Sequence, residues 1–391
     1  MKQLPPLVNP GPALTEEQRR RFARHTVLPG IGVEGQQRLL NAKVLCVGAG
    51  GLGSPVLMYL AAAGVGTIGI VDFDRVDASN LQRQIIHGAS DIGRLKTESA
   101  RESILEINPQ ARVIIHPNGL TRDNVMEIFA EYDVIVDGTD NFATRYLIND
   151  ACVFLGKPCV WGSIYRFDGQ ASVFYSDHGP CYRCLYPEPP AKELAPNCAV
   201  GGVFGALCGA IGSLQATEVI KLITGAGEVL IGELLIYDAL KCDYEKILLK
   251  KDPECSLCGE APTQSHLLEN YEEFCAVSLF ENVEGWEIPI LSAQSLSSMI
   301  TSGSEFLLID VREPSEWDEG RIDGAILIPQ GEFFGGTATA NISRDLPVVL
   351  YCHHGIRSAS CAGVLIQAGF THVASLDGGI SSWQKFHGLP E

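Results

Sequence analysis

Residues 43–83, KVLCVGAGGLGSPVLMYLAAAGVGTIGIVDFDRVDASNLQR, decide how the rest of the chain is read. Val44 to Val47 form an apolar run short enough for a buried strand. In the turn that follows, Gly48, Gly50 and Gly53 stand in G-x-G-x-x-G spacing. An Ala/Leu-rich helix is expected to run to Ala63, and a second strand, Thr67 to Val71, to end on Asp72. Strand, glycine turn, helix and strand with a terminal acid make a nucleotide-binding βαβ unit. The glycines let backbone N–H groups approach phosphate at a helix N-terminus, where the dipole favours negative charge. Asp72 is placed to accept hydrogen bonds from ribose hydroxyls. The turn alone does not separate nucleotides. The groups beyond the acid, Ser79-Asn80-Leu81-Gln82-Arg83-Gln84 and then Lys96, suit a triphosphate and favour ATP, with NAD the alternative.

Bulk properties set the frame around this stretch. A chain of 391 residues holds two or three domains with ample core. Its net charge of −18 argues against a non-specific binder of nucleic acid or membrane surfaces. Pro5, Pro6, Pro10 and Pro12 interrupt any apolar leader, so no signal peptide is read. The uncharged stretch from Ala199 to Leu214 is too short to span a bilayer and reads as buried helix. Thirteen cysteines without a secretion signal point to reduced thiols in the cytoplasm, used for packing, metal ligation or catalysis.

In chain order, the Pro-rich residues 1–14 read as a mobile tail. Thr15 and Gln18 have capping-box spacing and start a helix carrying Arg19, Arg20, Arg21 and Arg24. Beyond the nucleotide unit, a helix from Thr97 to Ile107 is stopped by Asn108-Pro109. Val113 to Ile115 and Val134 to Val136 are further buried strands. The second delivers Asp137-Gly138-Thr139-Asp140-Asn141 to the sheet edge where open α/β sheets bind ligands. Asp140 there is either a Mg²⁺ ligand beside substrate phosphates or a turn and helix-capping acid, and spacing does not choose.

The cysteines sharpen the picture. Cys181-Tyr-Arg-Cys184 and Cys255-Ser-Leu-Cys258 are two C-x-x-C knuckles, and in a reducing compartment they fit a closed four-thiolate zinc site. A closed site leaves no place for substrate, so zinc is structural. Between the knuckles, the Pro-rich Leu185 to Asn197 is expected to be an exposed loop delivering Cys198. Cys198 is either a nucleophile or a buried small hydrophobe. Cys46, Cys152, Cys159, Cys208 and Cys361 sit in apolar runs and read as core.

Residues 15–260 resemble the MoeB/ThiF family, the adenylating enzymes of sulfur carriers and relatives of ubiquitin-activating enzymes. The motifs are Arg21-Phe-Ala-Arg24-His, GAGGLGSP, VDFDRVDASNLQRQ, Lys96, DGTDN, CYRC, NCAVGGV and CSLC. The resemblance implies a Rossmann-like α/β domain with a mixed sheet. It implies that Gly51, Asp72, Asn80, Arg83 and Lys96 contact ATP, with Asp140 near the metal, and Ser79, Leu81, Gln82 and Asn141 complete the expected cofactor-binding set. It further implies a homodimer in which Arg24 reaches the neighbouring subunit's site, and it favours Cys198 as a functional thiol. The chemistry asked is activation of a carboxylate as acyl-AMP, which is mostly positioning and charge neutralisation.

Residues 261–290 carry scattered acids without periodicity and read as a linker. From 291 to 391 a second α/β module is expected, with strands at Phe306 to Ile309, Ala325 to Ile328 and Val348 to Tyr351. The last delivers Cys352 to a short loop, His353-His354-Gly355-Ile356-Arg357, before an apolar helix. A thiol there meets a ring of backbone N–H donors, which stabilises an anionic sulfur. This module resembles a rhodanese through DVREPSEW, GRIDGAILIP, the Cys352 loop and LDGGISSW. The resemblance makes Cys352 the persulfide carrier and Arg357 its loop cation. A cysteine phosphatase would place five residues between Cys and Arg, and here there are four. Arg321 stands where many rhodaneses carry His.

Together the modules predict a fused adenylyltransferase–sulfurtransferase that converts the C-terminal Gly-Gly carboxylate of a ubiquitin-like sulfur carrier to a thiocarboxylate. Thiosulfate or a cysteine desulfurase would load Cys352, and molybdopterin synthesis is the expected pathway. Carriers for cysteine, thiamine or tRNA thiolation are alternatives. A carrier-docking scaffold and an NAD-dependent oxidoreductase are the readings from other classes.

Overall fold

Thr15 Oγ1 accepts the Gln18 N–H at 3.2 Å, and Gln18 Oε1 accepts the Thr15 N–H at 3.0 Å. This capping box starts α1 (Glu16–Arg21), which is followed by α2 (Ala23–Thr26) and α3 (Gly32–Asn41). The residues before the box, expected to be a mobile tail, are tied down from Leu4 onward. The Leu7 N–H donates to Leu222 O at 2.9 Å and the Gly11 N–H to Gln37 O at 3.2 Å. Asn41 Nδ2 donates to Asn9 O at 3.1 Å. Val8 and Leu14 are buried, and Leu4 and Leu7 pack on the core. Composition hides this, because the prolines give up N–H groups while the apolar side chains between them still pack.

The computed structural model describes residues 4–189, 202–271, 274, 275, 288–318, 320–334, 338, 339, 342–344, 346–353 and 355–388. The chain divides into two units, Met1–Ser278 and Leu279–Glu391.

In the first unit β1 (Lys43–Val47) is paired in parallel with β2 (Thr67–Val71), β2 with β3 (Arg112–His116), and β1 also with β4 (Val134–Asp137). Between them run α4 (Gly53–Ala63), α5 (Lys96–Ile107) and α6 (Val125–Ala130), and α7 (Phe142–Leu155) follows β4. α4 ends on Gly64, whose φ of +86° makes the left-handed cap a side chain resists. β5 (Cys159–Tyr165) continues the parallel set. β6 (Asp168–Phe174), β7 (Glu233–Asp238) and β8 (Asp243–Leu248) add antiparallel strands, so the order is β3-β2-β1-β4-β5-β6-β7-β8. Strands buried on both faces read as continuous apolar runs, which is why β1, β2 and β4 were visible in the sequence. The strand order reverses at β1, and the crevice between the ends of β1 and β4 is the switch point where such sheets bind ligands.

The uncharged stretch near Ala199 was expected to be too short to span a bilayer. The helix it leads into, Gly205–Thr224, is longer than that reading allowed, and by length and composition it could cross a membrane. It packs instead inside the first unit, where Leu207, Ile211, Val219 and Ile223 are buried. The expected linker is also partly absorbed. Leu267 and Tyr271 are buried in the first unit's core, and the Phe274 ring lies 5.2 Å from that of Tyr146.

The second unit is a parallel sheet of β9 (Ile290–Leu291), β10 (Leu307–Asp310), β11 (Ile326–Leu327), β12 (Val348–Tyr351) and β13 (Val373–Leu376), ordered β11-β10-β12-β13-β9. Phe333, Leu350, Cys361 and Leu365 lie in its buried core.

Candidate functional site

At the crevice of the first unit the glycine turn closes on itself. Gly48 has φ +94°, and a Cβ on Gly53 would fall 1.9 Å from Gly48 O, so only glycine fits there. A Cβ on Gly51 would meet Cys208 Sγ at 2.8 Å. The Ala49 peptide between them is held at both ends. Its N–H donates to Asp72 Oδ2 at 2.8 Å, and its carbonyl faces His87 Nε2 at 2.9 Å. His87 is buried, its Nδ1 lies 2.8 Å from Ser99 Oγ, and burial pushes its pKa down, so it serves as a neutral ring donating from Nε2. Asp72 also accepts the Asp74 N–H at 2.8 Å. Burial pushes its carboxyl up, and the nearby Lys96 charge opposes that.

Six of the expected nucleotide residues line the crevice: Gly51, Asp72, Arg83, Lys96, Asp140 and Asn141. Ser79, Asn80, Leu81 and Gln82 do not line it. They form the adjoining turn that holds Arg83, whose N–H donates to Asn80 O at 3.1 Å and whose Nη1 donates to Ser79 O at 3.3 Å. Lys96 is buried and pairs with Asp74 Oδ2 at 2.7 Å. Arg24 is exposed on α2 and lies outside its own chain's crevice. The choice left open for Asp140 narrows here. Asn141 is the helix cap, accepting the Thr144 N–H at 2.8 Å, so Asp140 is an exposed carboxylate on the crevice wall with no capping task. Gln84, read in the sequence with the groups that suit a triphosphate, also lines the crevice. Asp74, His87 and Arg145 were missed, and of these only Asp74 stood inside a quoted motif.

The two knuckles meet. Cys181 Sγ lies 3.9 Å from Cys184 Sγ and 3.7 Å from Cys255 Sγ, and Cys184 Sγ lies 3.4 Å from Cys258 Sγ. All four sulfurs fall within 4.8 Å of one another. Zn–S bonds of about 2.3 Å set tetrahedral edges of roughly 3.8 Å, so the cluster fits a zinc ion. Gly259 is needed beside it, since a Cβ there would come within 2.5 Å of Pro253 O. Arg183, inside the first knuckle, makes a buried two-point pair with Asp150, both bonds 2.8 Å. Asp150 also accepts from Gln264 Nε2 at 2.7 Å and the Tyr271 hydroxyl at 2.8 Å. Cys198 lies outside the described residues, as does much of the loop expected to carry it.

In the second unit Cys352 follows β12 and is buried. Its Sγ accepts the Gly355 N–H at 3.1 Å, and the Ser358 hydroxyl lies 3.7 Å away. Gly355, with φ +92°, caps the Ile356–Gln367 helix. A Cβ on Gly379 would meet Cys352 O at 2.3 Å, so the GG of the LDGGISSW motif lets two chain segments touch at the thiol. Arg357 gives Nη1 and Nη2 to the two oxygens of Glu316 at 2.7 and 2.6 Å, which holds that carboxyl below its usual range. Asp310 is occupied by Arg312. Arg321 stacks over Trp317 at 4.8 Å.

A Rossmann-type crevice with a zinc-fitting knuckle, joined in one chain to a cysteine-loop sheet, defines an adenylating domain carrying a rhodanese domain. The ThiF family model matches residues 22–257 and the rhodanese-like domain model residues 292–386; the chain belongs to the ThiF family and ends in a rhodanese domain. It is 52% identical over 386 residues to the probable adenylyltransferase/sulfurtransferase MoeZ of Mycobacterium tuberculosis, covering 98% of this chain and 97% of that one. The sulfur carrier protein adenylyltransferase of Thermus thermophilus is 49% identical over 268 residues, 67% of this chain and 98% of the relative. The crystal structure of E. coli MccB superposes with a TM-score of 0.55 at 23% identity, covering 66% of this chain and 76% of MccB, and so shares the fold. The chain is therefore an enzyme of the adenylyltransferase and sulfurtransferase class.

Proposed function

We propose that this enzyme uses ATP to adenylate the C-terminal glycine of a ubiquitin-like sulfur carrier ending in Gly-Gly, and that a Cys352 persulfide then delivers sulfur to give the carrier thiocarboxylate. The observation that carries it is one chain holding both parts. One part is a crevice lined by Gly51, Arg83, Lys96 and Asp140, and the other is a thiol, Cys352, facing a backbone N–H. A carboxylate oxygen attacks the α-phosphate, pyrophosphate leaves, and no general base is required because the nucleophile is already an anion. On this reading Arg83 and Lys96 neutralise the phosphates as they gain charge, and the glycine turn offers them backbone N–H groups. Mg²⁺ at Asp140 would neutralise further phosphate charge. The persulfide's outer sulfur then attacks the acyl carbon and AMP leaves. The acyl disulfide so formed is opened by Cys198, whose thiolate attacks the inner sulfur. The S–S bond breaks, the carrier thiocarboxylate leaves and a disulfide remains between Cys198 and Cys352. In the thioester alternative Cys198 takes the acyl group from AMP before the persulfide attacks it.

The remaining assignments belong to the same reading. The knuckle holds structural zinc, and the enzyme is a cytoplasmic homodimer in which Arg24 serves the neighbouring subunit. The sulfur donor is thiosulfate or a cysteine desulfurase. The pathway is molybdopterin synthesis, resting on the resemblance of the fused chain; cysteine, thiamine and tRNA-thiolation carriers use the same chemistry.

The test is the intact mass of a Gly-Gly carrier after incubation with enzyme, MgATP and thiosulfate. ATP-dependent exchange of one oxygen for sulfur is expected. Cys352→Ala should abolish that mass gain and leave carrier-dependent ATP–pyrophosphate exchange at the wild-type rate. Loss of exchange in the folded variant would refute the division of labour.

A further inference from the structure

Arg145, in the first turn of α7, is a cation that this reading does not use. It is 8% exposed and lines the crevice beside Asp140, Asn141 and Thr144. Its guanidinium carbon sits 5.5 Å from the centre of the Phe142 ring and 5.7 Å from that of Trp161. Nη2 donates to Thr139 O at 2.9 Å, and among the described residues the buried Nε has no hydrogen-bond partner. Among the described residues no ion pair ties it to a carboxylate. Asp137 and the Tyr182 hydroxyl are its ionisable neighbours, and Asp137 Oδ1 is already taken by the Thr139 N–H and hydroxyl.

The other crevice cations are differently placed. Lys96 has Asp74, and Arg83 is only half-buried on its turn. Asp137 attracts the Arg145 charge without a direct ion pair, and a guanidinium withdrawn from water with no anion bonded to it gains from a ligand that supplies one. The flanking rings hold the cation in place meanwhile.

The sheet order indicates which anion. The glycine turn and Asp72 follow β1 and β2, whereas Arg145 packs on Trp161 of β5, on the other side of β4. That side of the crevice lies away from the ribose end, where an attacking group would enter. We propose that Arg145 binds the C-terminal carboxylate of the incoming carrier and presents it to the α-phosphate. This rests on the adenylation reading above. A planar guanidinium can grip a carboxylate with paired N–H groups and fix its orientation. In the step an oxygen–phosphorus bond forms, the α–β phosphoanhydride bond breaks, and no proton moves. Once the acyl-adenylate exists, the carboxylate charge is gone and the grip relaxes.

The experiment uses the full-length enzyme saturated with a non-hydrolysable ATP analogue, and a ubiquitin-like Gly-Gly carrier prepared as free acid and as C-terminal amide. Wild type should bind the acid at least ~10-fold tighter than the amide, a difference of one decade in Kd. Arg145→Gln should abolish that preference and leave the analogue's Kd within about twofold, and Arg145→Lys should restore part of it. Equal acid and amide affinity in wild type overturns the proposal without recourse to any variant. A preference retained in Arg145→Gln, or an analogue Kd weakened ~10-fold, also overturns it, the latter because the cation would then serve phosphate. If wild type fails to release pyrophosphate with MgATP and the free-acid carrier, the adenylation reading itself fails. Release with equal affinities defeats only the assignment of Arg145.

Discussion

Replacing Asp150 by Asn tests how the knuckle is held to its domain. The Asp150 carboxylate is fully buried and takes Arg183 Nε and Nη2, Gln264 Nε2 and the Tyr271 hydroxyl at 2.7–2.8 Å, with Asn149 Nδ2 at 3.1 Å. The substitution keeps the shape, removes the charge and points an NH₂ at donors. Arg183, 3% exposed, is left as a buried cation without its counter-ion. Removing one partner of such a pair costs about 3–5 kcal/mol, a third or more of a domain's usual stability of roughly 5–15 kcal/mol. Native-state hydrogen exchange across residues 142–155 should accelerate by roughly a hundred- to several-thousand-fold. Glu16→Gln, which removes an exposed helix-surface pair with Arg20, should change the same rates by about twofold. Acceleration below about tenfold for Asp150→Asn would show that Arg183 finds water or another partner, and that the network is not what secures the knuckle.

Two further outcomes are expected at the crevice. Gly53→Ala places a Cβ 1.9 Å from Gly48 O, so the turn must open; stability should fall by ~1–3 kcal/mol or more, and calorimetry should show weakened binding of an ATP analogue. Unchanged affinity would mean that closure of the turn does not build the phosphate site. His87 has a folded pKa below its reference of 6.5, so the unfolded chain takes the proton first as pH falls. Its contribution is complete above about 6.5 and is lost as pH drops from there through the lowered folded value, at no more than about 1.4 kcal/mol per pH unit. Urea midpoints measured near pH 7.5 and pH 5.5 should therefore differ more for wild type than for His87→Gln, and equal differences would refute the buried neutral role.

The sequence made legible what is built from local pattern. β1, β2 and β4 were apolar runs, the glycine turn had its spacing, and the capping box at Thr15 needed only residues three apart. The C-x-x-C pairs announced a four-sulfur cluster because metal geometry restricts spacing. What was not legible depends on pairing between distant segments. The antiparallel β6–β8 strands alternate less cleanly, since β8 is exposed along its length. His87 reaches the Ala49 carbonyl only after the turn and α5 have packed, and nothing in its neighbourhood marks it. Arg145 becomes a crevice residue only once α7 starts at Asn141, which fixes the face it presents. The split of Ser79–Gln82 from the crevice is of the same kind: of a motif read as ligand contacts, Arg83 lines the crevice and the turn before it hydrogen-bonds to Arg83.

The tethers of the first unit also set a schedule for its synthesis. Leu7 hydrogen-bonds to Leu222, Cys181 and Cys184 meet Cys255 and Cys258, and Asp150 receives Tyr271. A growing chain can assemble β1 to β4 early, yet its opening residues and its knuckle stay unfinished until almost the whole unit has left the ribosome. Any product stopped before Cys258 keeps reactive thiols, a charge without its full set of donors and loose apolar residues on display. Such features are what chaperones and proteases sample, so incomplete chains carry their own mark for removal.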